Sequence, residues 1–267
     1  MSEINFHYAF QLCDVFSREG KPRICGDDRT LLSKKSIISF LESIKVCCES
    51  IKESKHTICF FNDRSTEELV RFVFNVIDKY KSEQISFIFQ NTSQPGITFS
   101  IKSCYMWLQE NGKDLVYQVQ DDYLFFPNAI FEMYEVFKQI KNETNYDIIV
   151  SPFNDFWLWL AIYRNSSTPR TVIVGKKRYW IQYYDMSCSF MTSHEQFSKH
   201  WDLYHHFFEL IDIGDKNLEN QSLNYMLTQR GVLGLIPLNN LAFHMQTELE
   251  QDLHIDWHPL WESIDVT

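Results

Sequence analysis

The sequence predicts an α/β protein with a mixed, mostly parallel central sheet flanked by helices. Three observations predict it. From Ile4 to Pro152, short apolar strands alternate with amphipathic helical stretches. Beyond Pro152 that alternation loosens, and a hairpin pattern enters. No internal repeat, low-complexity stretch or linker interrupts the 267 residues, so one domain is expected over 1–267.

Ile4, Phe6, Tyr8, Phe10 and Leu12 share one face, which makes the first strand. The polar stretch "SREGKPRICGDDRT" reads as a loop. From Ser33, Ile37, Leu41, Ile44, Cys48 and Ile51 recur at helical spacing. "HTICFF" is a second strand. Ser65 and Glu68 form a capping box for the helix whose stripe is Leu69, Phe72, Val73, Val76 and Tyr80. "QISFIFQN" is a third strand, and a helix over Phe99–Glu110 closes at Gly112. "LVYQV" is a fourth strand, ending at Asp121-Asp122. Pro127 then opens a helix that buries Ile130, Met133, Phe137 and Ile140. "YDIIVSP" is a strand, "RTVIVGKKRYWIQYY" a hairpin turning at Gly175-Lys176, and "MSCSFMT" another strand. Ser193 and Gln196 cap a helix through "FSKHWDLYHHFFELI". A further helix runs from "KNLENQSLNYMLTQ" to Gly231, and "VLGLIP" is the last strand.

A formal net charge of −10 argues against a nucleic-acid binder held by phosphate contacts, and gives no general attraction to anionic membranes. Seven cysteines form no CxxC pair, and a reducing, cytoplasmic setting is the simplest reading. The N-terminus lacks a signal-peptide pattern, and the longest apolar run, "FWLWLAIY", is too short to span a bilayer.

Adjacent carboxylates repel, and burial raises the cost unless a positive charge sits beside them. Asp121-Asp122 is therefore either a solvated turn or the holder of a cation. In parallel sheets ligands bind beyond the carboxyl ends of the strands, near a switch in strand order. Asp63 follows one strand and Asp121-Asp122 another, so all three collect along one edge of the sheet. A hard divalent cation suits that place, filling its shell with substrate phosphates and water.

"FFNDRSTEEL" resembles the acidic turn of the GT-A nucleotide-sugar glycosyltransferases, particularly the family-2-like group. "VYQVQDDYLFFPNAI" resembles their DxD region, and "LENQSLNYMLTQRGVLGLIP" with His244 resembles their late helix and final histidine. The resemblance runs from about Phe6 to His244 and implies a single GT-A-like, Rossmann-related domain. Residues 1–127 would form the nucleotide-sugar half and 128–267 the acceptor half. It implies a glycosyltransferase moving a sugar from a nucleoside diphosphate sugar to a hydroxyl of a glycan or glycoconjugate, with inversion, in surface-glycan synthesis. Asp63 would contact the nucleoside, Asp121 the ribose or the metal's water shell, and Asp122 with His244 the metal, Mn2+ or Mg2+.

Two departures stand out. The family's opening "P-T-Y-N" segment is replaced by "QLCDVFSREGKPRICGDD", where Asp14 is the candidate donor contact. The family's Glu-Asp base motif is Glu219-Asn220. Glu219 is then the candidate base, with Asp215 and Asp185 as other carboxylates in reach. His205-His206 read as packing or surface residues, and His194 as a helix-start residue. Trp157, Trp159, Trp180 and Trp201 are either core or a sugar platform. The rival readings are a nucleotidyltransferase of similar design and a catalytically degenerate nucleotide- or sugar-binding module.

Overall fold

The computed structural model describes residues 3–15, 25–26, 28–154, 170–185, 189–215, 217–245 and 256–266. The strands are β1 Ile4–Leu12, β2 Ser54–Asn62, β3 Ile85–Asn91, β4 Leu115–Gln120, β5 Tyr123–Phe125, β6 Ile148–Val150, β7 Val172–Val174, β8 Tyr179–Tyr183, β9 Phe190–Ser193, β10 Leu233–Pro237 and β11 Ala242–His244. The helices are α1 Arg29–Ser50, α2 Glu67–Tyr80, α3 Ile97–Asn111, α4 Ala129–Glu143, α5 His194–Lys199, α6 Trp201–Asp212, α7 Leu218–Gln221, α8 Leu223–Gln229 and α9 His258–Ser263.

Among the described residues nine strands form one sheet in the order β3-β2-β1-β4-β9-β6-β10-β8-β7, and β11 pairs with β5 in a small second sheet. β3, β2, β1 and β4 are mutually parallel. β9 runs against both β4 and β6, β10 is parallel to β6, and β8 and β7 continue antiparallel. This is the α/β class expected, with its mixed, mostly parallel sheet.

Helices cover both faces, so residues of the central strands β1 and β4 are buried on both sides. On one face Phe6, Tyr8, Phe10 and Leu12 meet Phe40 and Leu41 of α1, Val73 of α2 and Met133 of α4. On the other, Ala9, Cys59 and Val116 meet Tyr105 of α3, Tyr204 of α6 and Met226 of α8. Each large apolar side chain buried this way contributes about 1.5–3 kcal/mol. Gly234 of β10 marks a close approach, since a Cβ there would lie 2.8 Å from the carbonyl oxygen of Tyr183. Trp180 is core, 1% exposed, and Trp201 is half-buried. Trp157, Trp159 and the run "FWLWLAIY" lie outside the described residues. Among the described residues no helix is long and apolar enough to cross a membrane.

Several boundaries differ from expectation. α1 starts at Arg29, not Ser33, because Asp28 accepts from the amide of Leu31 (2.8 Å) and caps the extra turn. The cap of α2 is Thr66, not Ser65: its Oγ1 accepts from the amide of Leu69. Ser193 does cap α5, but Gln196 turns away to accept from the amide of Ile148. The expected helix after Ser193 breaks at His200, whose ring turns inward to Asp147 (3.2 Å). The next one breaks at Ser222, whose backbone leaves the helical region at φ −129°, ψ −86°. β5, β11 and α9 were not expected at all.

Candidate active site

Strand order reverses at β1, with β2 on one side and β4 on the other. The crevice beyond their carboxyl ends is the topological switch point of the sheet. Leu12 ends β1, Asn62 ends β2 and Gln120 ends β4, so Asp14, Asp63 and the Asp121-Asp122 turn all emerge on this edge. β11 brings His244 to the same place by pairing with Tyr123, the residue after Asp122.

Each acid has its own surroundings. Asp121 is buried and binds the loops together: its Oδ2 accepts from the amide of Cys13 (2.9 Å) and the hydroxyl of Ser33 (2.8 Å). The Arg29 guanidinium lies 3.8 Å from its Oδ1. Burial pushes the Asp121 carboxyl up to about 6; Arg29 opposes that shift and the charge of Asp122 adds to it. Asp63, 1% exposed, accepts from the amide of Gly96 (2.9 Å) and pairs with Arg64 Nε at 3.3 Å. It thereby holds the start of α3, where Gly96 has φ +113°. Asp14 accepts from the hydroxyl of Thr30 (2.7 Å) and from both the amide (2.8 Å) and hydroxyl (2.6 Å) of Thr66. It ties α1 to the cap of α2.

Asp122 faces His244, with Oδ2 and Nε2 3.6 Å apart. The imidazole stacks on Tyr123 with ring centroids 4.6 Å apart, and the amide of Met245 donates to the Asp122 carbonyl at 2.8 Å. A carboxylate beside an imidazole is a donor set compatible with Mn2+, and less so with Mg2+. Among the described residues no group of three or more His, Cys, Asp or Glu side chains is arranged to hold a metal. Asp122 and His244 are two donors, and any cation beside them would take the rest of its shell from other oxygens and water.

Helix α1 positions this edge. Besides Ser33 on Asp121, Ser39 Oγ accepts from the amide of Phe125 in β5 (3.1 Å) and Ser43 Oγ from that of Ile130 in α4 (2.9 Å). Lys35 Nζ donates to the carbonyls of Trp261 (2.6 Å) and Ile264 (2.7 Å), fastening α9 to α1.

Glu219 belongs to another cluster. Its pKa is raised, by burial first and then by the charge of Asp185. The residue is nonetheless solvent-exposed, and water at that surface keeps the effect modest. Asp185 accepts from the side chain of Asn224 (2.8 Å), which also donates to Asn220 (3.2 Å). Asp215 instead accepts from the amide of Asn217 (2.7 Å) and the side chain of Gln221 (3.1 Å), two residues at the ends of α7. His205 is exposed and His206 half-buried, both pair with Glu209, and His194 contacts the carbonyl of Gln109 (3.0 Å), as surface and packing residues do.

Arg29 escaped the sequence reading because it lies in a polar stretch without periodicity; only its place between the first strand and first helix marks it. No family model matches the sequence, and no curated protein matches it. Among solved structures, one described as a nucleotide-diphospho-sugar transferase from Desulfovibrio desulfuricans G20 is 14% identical, over 88% of this chain and 80% of that one, with a TM-score of 0.44. Apo mouse xyloside xylosyltransferase 1 is 9% identical, over 87% and 84%, with a TM-score of 0.45. Apo UDP-glucose pyrophosphorylase is 9% identical, over 92% and 94%, with a TM-score of 0.48.

Proposed function

We propose that the protein is a metal-dependent glycosyltransferase, transferring a sugar from a nucleoside diphosphate sugar to a hydroxyl of a glycan acceptor. The observation that carries this reading is the meeting of Asp122 and His244, 3.6 Å apart, at the switch point where the sheet's carboxyl ends open. The sequence resemblance to the DxD region and final histidine of GT-A enzymes falls on these same two residues.

Asp122 and His244 would hold the cation, Mn2+ or Mg2+, against the donor diphosphate. Once bound, that ion would neutralise charge developing on the departing diphosphate. Asp121, locked by Cys13 and Ser33, keeps the turn in place, and Asp63, bonded to the amide of Gly96, would contact the nucleoside. For transfer with inversion, a carboxylate must take the acceptor proton on the face opposite the leaving group. Glu219 would do so, and its raised pKa suits a base better than a depressed one. The half from 128 to 267 would shape the acceptor site, and surface-glycan synthesis is the setting this reading favours.

The test is a panel of nucleotide sugars incubated with Mn2+, scored for the products released. Release of nucleoside diphosphate supports a glycosyltransferase. Formation of nucleoside triphosphate from nucleotide sugar and added pyrophosphate would replace this reading with a nucleotidyltransferase. Binding without turnover of any donor or acceptor would reduce the protein to a binding module.

A further inference from the structure

We propose that Arg29 is a phosphate-binding residue of the switch-point crevice, its guanidinium taking oxygens of a diphosphate-bearing ligand. The assignment rests on the reading that a nucleoside diphosphate sugar enters there, and it names the residue that would grip its phosphates beside the metal.

The Arg29 side chain is only 12% exposed. Its Nη2 donates to the carbonyl of Cys13 at 2.7 Å. Its Nε and Nη1 are buried and have no hydrogen-bond partner. A guanidinium carries five N–H donors, so part of this fork is unmet. Burying such donors without acceptors is costly, and an unmet buried polar group calls for a specific explanation.

Asp121 does not supply the missing acceptors. Its Oδ2 is taken by Cys13 and Ser33, and its Oδ1, at 3.8 Å, is beyond hydrogen-bonding distance of Nη2. Nε and Nη1 each keep N–H groups unmet in the guanidinium plane, and a guanidinium is a strong partner for phosphate oxygens. Charge points the same way. Asp14, Asp63, Asp121 and Asp122 crowd this edge and would repel an anion, so a diphosphate needs positive charge on the protein as well as a cation at Asp122. Arg29 is placed to provide it, its guanidinium 3.8 Å from Asp121, the neighbour of Asp122 in the turn.

The experiment measures binding by calorimetry for wild type, Arg29→Met and Arg29→Lys, each checked for folding by near-ultraviolet circular dichroism. The probes are UDP, GDP, CDP, ADP and dTDP, the matching nucleosides, and inorganic pyrophosphate, all with Mn2+. Arg29→Met should weaken the preferred diphosphate and pyrophosphate by about ten- to hundredfold, the range for a hydrogen bond to a charged group, and leave nucleoside affinity unchanged. Arg29→Lys keeps the charge near Asp121, so it tests the site even if the methionine variant does not fold; it should recover only part of the affinity. Equal diphosphate and pyrophosphate affinity in wild type and either folded variant overturns the role of Arg29 while leaving the glycosyltransferase reading standing. Arg29-dependent binding of pyrophosphate without binding of any nucleotide upholds the phosphate site and overturns the glycosyltransferase reading. Wild type that binds neither pyrophosphate nor any diphosphate overturns both.

Discussion

Nε2 of His244 stands 3.6 Å from Oδ2 of Asp122, and the backbone fixes that meeting before any ligand arrives. β11 lays His244 opposite Tyr123, the Tyr123 ring stacks on the imidazole, and Met245 donates to the Asp122 carbonyl. A site organised in this way loses little order on binding, which favours affinity.

The clamp at Asp14 sets up the first prediction. Its carboxylate accepts from Thr30 and twice from Thr66, so it acts on the crevice by holding α1 and α2 together. Asp14→Ala should destabilise the fold by about 1–3 kcal/mol, since it leaves half-buried donors of Thr30 and Thr66 without their acceptor. Asp14→Asn, which keeps one acceptor, should cost less. Chemical denaturation of both variants measures this; an unchanged midpoint in the alanine variant would show that the clamp contributes nothing.

A second prediction concerns acid. His56 is buried between the Tyr8 hydroxyl (2.9 Å) and the Ser54 hydroxyl (3.0 Å), and burial lowers its pKa from 6.5 to about 3. Between those values the unfolded chain binds the proton and the folded one does not, so stability rises with pH there. The contribution is complete above pH 6.5 and is lost as pH falls toward 3, at about 1.4 kcal/mol per pH unit. His56→Gln should flatten this slope in unfolding curves between pH 6.5 and 4. His7, also lowered by burial, to about 4, remains in both proteins and leaves a shared residual slope. Parallel curves for wild type and variant would contradict the buried neutral imidazole.

Local patterns in the sequence carried much of this architecture. The alternation of Phe6, Tyr8, Phe10 and Leu12 and the stripe of Ile130, Met133, Phe137 and Ile140 are periodic signals, and those residues are buried as expected. The strand leading into Asp121 was legible for the same reason. What escaped depends on distant partners. Thr66 rather than Ser65 caps α2 where Asp14 engages its amide and hydroxyl, and nothing within the local sequence reveals that. β5 and β11 have three residues each, too few to show a period, and they find each other only in the folded chain. The breaks at His200 and Ser222 interrupt apolar patterns that read through them. The candidate acids were visible as strand-end carboxylates, whereas Arg29 became visible only through its buried, unmet donors.

Glu219 supplies the third prediction. As the proton acceptor it should tolerate replacement without loss of donor affinity, because its charge partner is Asp185 and its role lies with the acceptor. Glu219→Gln should lower turnover by roughly a hundred- to ten-thousand-fold, the usual contribution of a positioned base. Turnover within a few-fold of wild type would move the base elsewhere, and the anomeric configuration of the product would then show whether the transfer retains configuration.

The most direct measurement is calorimetric titration of wild type and Asp122→Asn with the preferred nucleoside diphosphate, with and without Mn2+. Wild type should bind tightly only with Mn2+, and Asp122→Asn should lose that metal-dependent gain. The ligand-free variant should melt no lower than wild type, because a repulsion with Asp121 has been removed. Undiminished Mn2+-dependent binding in Asp122→Asn would contradict the account at its centre.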